Sequence, residues 1–300
     1  MLGRFRFSRA AARSRKVFSR RRRLETALAL TALAITATPT AVAALPTFAP
    51  VQSATQPGPA LWVVSDADTT IYLFGTFHAL DGRSSWFNSG IKAAFDASDL
   101  LVLETLVPED PAELHTALSR NSLVKTPKVG EPVIAAEKAP PFVASAGQAM
   151  SAGRSMGMSV DLGADAVLRR AANAAGKPVG GLESFDFQLR MFGSLPAPPT
   201  RSGARPAAKD MRDTLTHMQS AWSRGDSASF AAVLGNVQAQ SPAAYKTLFV
   251  DRNVHWAGWI AGRMRQPGTV FVAVGTGHLI GRDSVQAKLA ERGISSARIS

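Results

Sequence analysis

Two apolar segments far apart in the sequence end in the same four-residue pattern, Gly-Thr-x-His. The first lies within residues 70–78 and the second within residues 269–278. Such continuous apolar runs are typical of strands buried on both faces, and glycine permits a sharp turn and close backbone approach at their ends. Because ligands of open α/β sheets bind beyond the carboxyl ends of the strands, we expect both histidines to point into one crevice. The candidate residues of the two turns are Gly75, His78, Gly275 and His278.

Two glutamates, Glu104 and Glu183, each close another strand-like apolar run. Imidazole and carboxylate are the ligands that Zn²⁺ or Mn²⁺ accepts where thiolate is lacking, and the chain has no cysteine. We therefore expect His78, Glu104 and His278 to hold a divalent transition metal, Mn²⁺, Co²⁺ or Zn²⁺. Glu183 would be a further ligand or the general base. For Glu104 the alternative is a structural ion pair.

Arg252 and Asn253 follow Asp251, which we expect to be the N-cap of a helix over residues 251–265. In the first helical turn both side chains could face the crevice. Arg252 would then bind a substrate carboxylate or a developing oxyanion, and Asn253 would support the site. The equally open alternative for Arg252 is a structural ion pair with one of the two glutamates.

Strands alternate with helices along most of the chain, which predicts an α/β fold. We expect a central mixed, largely parallel sheet flanked by helices, with a helical insertion in the middle of the chain. Two runs separated by Asp66–Thr69 predict a β-hairpin. The predicted strands are 61–65, 70–75, 99–104, 177–183, 269–275 and 297–299; the predicted helices are 88–97, 207–224, 251–265 and 284–292, with helical texture over 111–175 and a Pro-rich loop over 194–206.

Residues 1–44 have the organisation of an export signal. A basic segment precedes an uncharged Ala/Leu/Thr-rich run, which closes with Ala41-Val42-Ala43. Residues 20–23 are four arginines, which fits a twin-arginine signal loosely. A retained membrane anchor is the alternative, and in either case the folded part would be periplasmic or secreted. Residues 45–59 read as a linker, and residues 60–300 as one domain.

The basic leader accounts for most of the charge. The chain has 34 Lys and Arg against 22 Asp and Glu, for a formal net charge of +12. Residues 1–44 contain ten of these basic residues and one acid, so 24 basic and 21 acidic residues remain, a net charge of +3. This small excess argues against a nucleic-acid partner. Membrane contact is expected only through an uncleaved leader, and homodimerisation is left open.

The motifs resemble those of the TraB/GumN family. The residues that carry the resemblance, in the expected order, are Leu61–Val64, Thr70–His78, Leu101–Glu104, Gly181–Ser184, Asp251–Asn253 and Val274–Gly281. The family includes the TIKI proteases, described as metal-dependent, and is related to erythromycin-esterase-like and ChaN-like proteins. The resemblance implies an α/β core with His78, Glu104 and His278 in the active site, and Glu183, Arg252 and Asn253 as site or supporting residues.

Three functions follow from these observations. The first is a metal-dependent, peptidase-like hydrolase acting on a peptide or a small molecule. The second is a metal-free, esterase-like hydrolase in which one histidine is the general base beside a glutamate. The third, which the resemblance to ChaN-like and GumN proteins implies, is a non-catalytic protein that binds haem, a peptide or an envelope polysaccharide; histidine can ligate haem iron.

Overall fold

The computed structural model describes residues 58–121, 124–125, 134–135, 140–196 and 208–300. The predicted leader and nearly all of the predicted linker lie outside these residues, as does most of the Pro-rich loop. The strands are β1 Leu61–Ser65, β2 Thr69–Thr76, β3 Leu100–Thr105, β4 Val124–Lys125, β5 Ile134–Ala135, β6 Val179–Glu183, β7 Gly268–Gly275 and β8 Ala297–Arg298. The helices are α1 Ser89–Asp96, α2 Pro111–Arg120, α3 Pro141–Ser155, α4 Ala164–Ala174, α5 Phe185–Ser194, α6 Ala208–Ser223, α7 Ser227–Gln240, α8 Pro242–Tyr245, α9 Asp251–Arg263 and α10 Val285–Ala290.

Six strands form a mixed sheet in the order β6-β3-β7-β2-β1-β8. Strands β6, β3, β7 and β2 pair in parallel, whereas β1 is antiparallel to both of its neighbours. The β1–β2 connection is the predicted hairpin, and the Asp66 side chain accepts hydrogen bonds from the backbone N–H groups of Asp68 and Thr69. The predicted α/β fold with a largely parallel sheet is confirmed.

Alternate residues of the central strands enter two hydrophobic layers, as the period of a strand requires. On one face, Leu73 and Val272 pack with α9 and α10, for example against Trp256 and Leu289. On the other face, Phe74 packs within a larger layer formed with the remaining helices. Since both faces are covered by helices, the open edge of the sheet at the carboxyl ends of the strands is where a site can form.

The expected N-cap at Asp251 is wrong. The chain already runs through α8 and a π-helical turn, Lys246–Val250, before α9 begins, and Asp251 itself has helical dihedral angles (φ −64°, ψ −38°). Because the preceding turn supplies the backbone partners that a helix start lacks, no side-chain cap is needed.

A helix that the sequence analysis did not predict spans Ser227–Gln240, with Asp226 as its N-cap. No helix in the described part of the chain is long and apolar enough to cross a membrane.

Candidate active site

The two Gly-Thr-x-His turns lie side by side at one edge of the sheet. Strands β2 and β7 are parallel neighbours, and their register pairs Thr76 with Gly275. The hydroxyl of Thr276 donates a hydrogen bond to the carbonyl of Thr76 at 2.9 Å and so ties one turn to the other. The expected meeting of the two turns beyond the strand ends is therefore confirmed.

Glu104 is fixed at the end of β3 by three N–H donors. Its Oε1 accepts from Gln188 Nε2 at 2.8 Å and from Arg252 at 2.6 Å, and its Oε2 accepts from the backbone N–H of Gly275 at 3.0 Å. Burial favours the neutral acid, but the positive charge of Arg252 outweighs it and holds the pKa of Glu104 well below its usual range. Glu104 is thus an ionised carboxylate, 5 % exposed.

Gly275 lets the first histidine approach Glu104. A Cβ atom at this position would lie 3.0 Å from His78 Nε2 and 3.4 Å from Glu104 Oε2. The two side chains therefore share the space directly above the Gly275 Cα atom, and a larger residue would push the imidazole away.

His78 is oriented by Asp165, a residue of α4 that the sequence analysis missed. The Nδ1 atom of His78 lies 2.7 Å from Asp165 Oδ2. Burial lowers the pKa of His78, but the charge of Asp165, its hydrogen bond and the charge of Glu104 together raise the pKa to about 9. Nδ1–H therefore donates to Asp165, and Nε2 is the nitrogen left for a ligand or water.

The position of Asp165 depends on Gly163, which directly precedes α4. A Cβ atom on Gly163 would lie only 1.9 Å from the carbonyl oxygen of His78, so only glycine allows α4 to begin this close to the turn. The sequence signal was the Gly163-Ala164-Asp165 segment, an acid in the first turn of a helix, which is common for helix starts in general.

His278 lies behind Glu104 rather than in the crevice. It is 4 % exposed, its Nδ1 donates to Asn253 Oδ1 at 2.7 Å, and its Nε2 lies 3.2 Å from an Arg252 nitrogen and 3.9 Å from Glu104 Oε2. Burial and the charge of Arg252 lower its pKa to about 3, so the ring is neutral. The expectation that this histidine points into the crevice is wrong, because the short helical turn after Gly275 directs its ring towards α9.

Arg252 is a buried cation between the two glutamates. Its Nε lies 2.8 Å from Glu183 Oε1, and one terminal nitrogen lies 2.6 Å from Glu104 and 2.8 Å from Glu183. The guanidinium carbon sits 4.7 Å from the ring centroid of Trp256, whose indole N–H donates to Glu183 at 3.0 Å. Of the two alternatives for Arg252, this is the ion pair.

A cleft of about 710 Å³ opens above this network. Of the predicted site residues, only His78 and Glu104 line it, together with Asp165. The other predicted site residues, Gly75, Glu183, Arg252, Asn253, Gly275 and His278, are not among the residues that line it. His78, Asp165 and Glu104 therefore face the cleft, and the ion pairs of Arg252 lie beneath them.

Comparison with known proteins gave a family match over nearly all of the described chain. A model of the TraB/PrgY/gumN family matches residues 60–137 and 125–298. The chain belongs to this family. Comparisons with curated proteins and with solved structures gave no match. The resemblance of the sequence motifs is therefore confirmed at the level of the family.

In this TraB/PrgY/gumN family protein, the side chains as arranged do not form a metal site. Arg252 donates to Glu104 and lies against Nε2 of His278, so a guanidinium takes the position that a cation would need. Within the described residues, no group of three or more His, Asp or Glu side chains is spaced to hold a metal ion. The expected Mn²⁺, Co²⁺ or Zn²⁺ stays a prediction.

Proposed function

We propose that the chain is a hydrolase of peptide or ester bonds in which His78 accepts a proton from the attacking water. The observation that carries this proposal is the 2.7 Å contact between His78 Nδ1 and Asp165, on the wall of a cleft that also contains Glu104. A carboxylate behind an imidazole fixes its tautomer and orientation and stabilises the imidazolium that forms when it takes a proton. No metal is required for this step.

Each charge near His78 has a distinct role in the proposed reaction. Asp165 holds Nδ1–H, so water would hydrogen-bond to Nε2. Glu104 is an anion fixed beside the ring, and together with Asp165 it makes His78 a stronger base than a free imidazole, with a pKa of about 9. The unprotonated form of His78, which is the catalytic one, therefore increases with pH and makes up half of the protein at about pH 9.

Arg252, Glu183, His278 and Asn253 would act as positioning residues. Their hydrogen bonds hold Glu104 and the backbone of the second turn in place. None of the four lines the cleft, which favours an indirect role over contact with substrate.

The metal-dependent hydrolase expected from the sequence remains a second candidate. One observation favours it: His78 and His278 both have Nδ1 bound to an oxygen, from Asp165 and Asn253 respectively. Histidines that ligate a metal through Nε2 show this arrangement. Arg252 would have to withdraw from His278 and Glu104 before such a site could form.

The test is hydrolysis of peptide and p-nitrophenyl ester panels by the wild type and by variants at the dyad. His78→Gln should abolish turnover, and Asp165→Asn should reduce it about 100-fold or more, within the range that general-base catalysis contributes. His217→Gln is the matched control, because His217 is exposed, lies outside the cleft and contacts the Ser229 hydroxyl. Turnover that survives in His78→Gln would overturn the proposal.

A further inference from the structure

The charges that line the cleft are not all compensated. Three of its four acidic side chains are paired with a cation. The pairs are Glu104 with Arg252 at 2.6 Å, Asp165 with His78 at 2.7 Å, and Glu109 with Arg169 at 2.7 Å. Two exposed charges of opposite sign remain on the cleft, Asp161 and Arg170. Across the described ranges, neither has an ion-pair partner.

These two charges lie in the same cleft as the His78–Asp165 dyad. Asp161 belongs to the single helical turn Val160–Leu162 just before α4, and Arg170 lies in the second half of α4. Asp165 stands between them in the chain. An α-helix rises about 1.5 Å per residue, so the Arg170 backbone lies roughly 7–8 Å beyond Asp165 along the helix axis. Both charges and His78 line the same cleft, so a ligand that contacts both charges occupies the space that His78 faces.

Apolar side chains also line the cleft. Leu103, Val107, Leu114 and Leu162 contribute apolar side chains to its walls. Arg169 donates to the carbonyl of Val107 at 2.5 Å, so α4 and the segment after β3 are joined there. An extended peptide covers about 3.3–3.6 Å per residue, so about two of its residues match the roughly 7–8 Å that separate Asp165 and Arg170 along α4, and a peptide of a few residues suits the cleft.

We propose that the substrate is a short peptide with free termini, whose ammonium group binds Asp161 and whose carboxylate binds Arg170. This inference rests on the proposed hydrolase function and adds the substrate class to it. An apolar side chain would lie against the leucine-lined wall, and the bond to be cleaved would lie at His78. The two termini, rather than a long sequence, would determine specificity.

The experiment compares three forms of one tripeptide, Ala-Leu-Ala: with free termini, N-acetylated, and C-amidated. With the full-length protein, we expect each blocking group to lower kcat/KM about tenfold or more, because hydrogen bonds between charged groups are the strong ones. The loss should be in KM rather than kcat.

The variants assign each terminus to its residue. Asp161→Asn should remove the penalty for N-acetylation and keep the penalty for amidation, and Arg170→Gln should do the reverse. Asp210→Asn and Arg190→Gln are matched controls, since both residues are exposed and lie outside the cleft. These controls should keep the wild-type preferences.

The outcomes separate this inference from the function on which it rests. Cleavage of the blocked peptides at the rate of the free peptide would leave the hydrolase standing and overturn the inference. If no peptide is cleaved, isothermal titration calorimetry with the same three peptides measures their binding directly. Binding that weakens on blocking, with the same variant pattern, would support the recognition site and refute hydrolysis of these peptides. Neither binding nor cleavage would overturn the inference.

Discussion

Replacing Arg252 by methionine removes the positive charge of the guanidinium and keeps much of the side-chain volume. Arg252 is 4 % exposed and Glu104 is 5 % exposed, so the variant leaves two buried carboxylates without their cation. Breaking a buried pair from one side costs about 3–5 kcal/mol of unfolding free energy. For a domain of this size we expect the melting temperature to fall by roughly 10 °C.

The pH dependence of this loss gives a sharper test than its size. In the wild type, the pKa of Glu104 lies below its unfolded-state value of about 4.5, so its stabilising contribution is present above that pH and disappears on acidification. Burial already raises the pKa of Glu183 in the wild type. Without Arg252, burial should raise the pKa of Glu104 above its unfolded value and that of Glu183 further still. Their contribution would then be present at low pH and lost as pH rises. The stability difference between variant and wild type should therefore shrink from pH 8 to pH 5.

The assay is urea unfolding followed by circular dichroism at pH 5, 6, 7 and 8. Arg190→Met is the matched control, because substitution of an exposed arginine should change the unfolding free energy by less than about 0.5 kcal/mol. Arg252→Lys, which keeps a cation, covers the case in which the methionine variant does not fold. A loss below about 1 kcal/mol at pH 7, or a difference that grows on acidification, would refute the reasoning.

Three further predictions concern the dyad, the metal and the leader. Asp165→Asn removes the main group that raises the pKa of His78, so the rising limb of the kcat/KM–pH profile should move from about 9 to lower pH; an unmoved limb would exclude His78 as its source. Elemental analysis and haem titration of the purified protein distinguish the candidates: the metal-free hydrolase requires no stoichiometric transition metal and no Soret band. About one metal per chain, lost in both His78→Ala and His278→Ala, would contradict this and favour the metal-dependent candidate. If the predicted signal is cleaved, amino-terminal sequencing of the mature protein should begin near Ala44; a full-length chain in the membrane would indicate a retained anchor.

The sequence predicted the sheet well because its strands are continuous apolar runs that break at glycine or an acid. Equivalent runs that end in His or Glu had to meet at one sheet edge if they were parallel, and β2, β7, β3 and β6 are parallel neighbours. The helix Ser227–Gln240 was missed because its apolar residues lie on all sides, and only Phe230 and Leu234 are buried. Without an apolar stripe, periodicity gives no helix signal.

The sequence predicted which residues come together in the candidate site, but not which of them face the cleft and which are buried beneath it. His78 and His278 have the same local motif, yet one faces the cleft and the other faces Asn253. The difference comes from α4 and α9, which bring Asp165 to the first histidine and Asn253 to the second. Such contacts join residues far apart in the chain, and they cannot be predicted from a single sequence.

The place of β7 in the sheet has a consequence for the order of folding. This strand lies between β3 and β2. Until residues 268–275 are in place, the parallel pair β6–β3 and the antiparallel pair β2–β1 are separate. Pairing across such long sequence separations is slow, because a large loop must close before any contact forms. A chain leaving the ribosome would therefore stay without its central strand until residue 275 has been made. If the predicted signal directs an unfolded chain through the membrane, this delay would keep the chain unfolded for transport, and His78 and Glu104 would come together only after it.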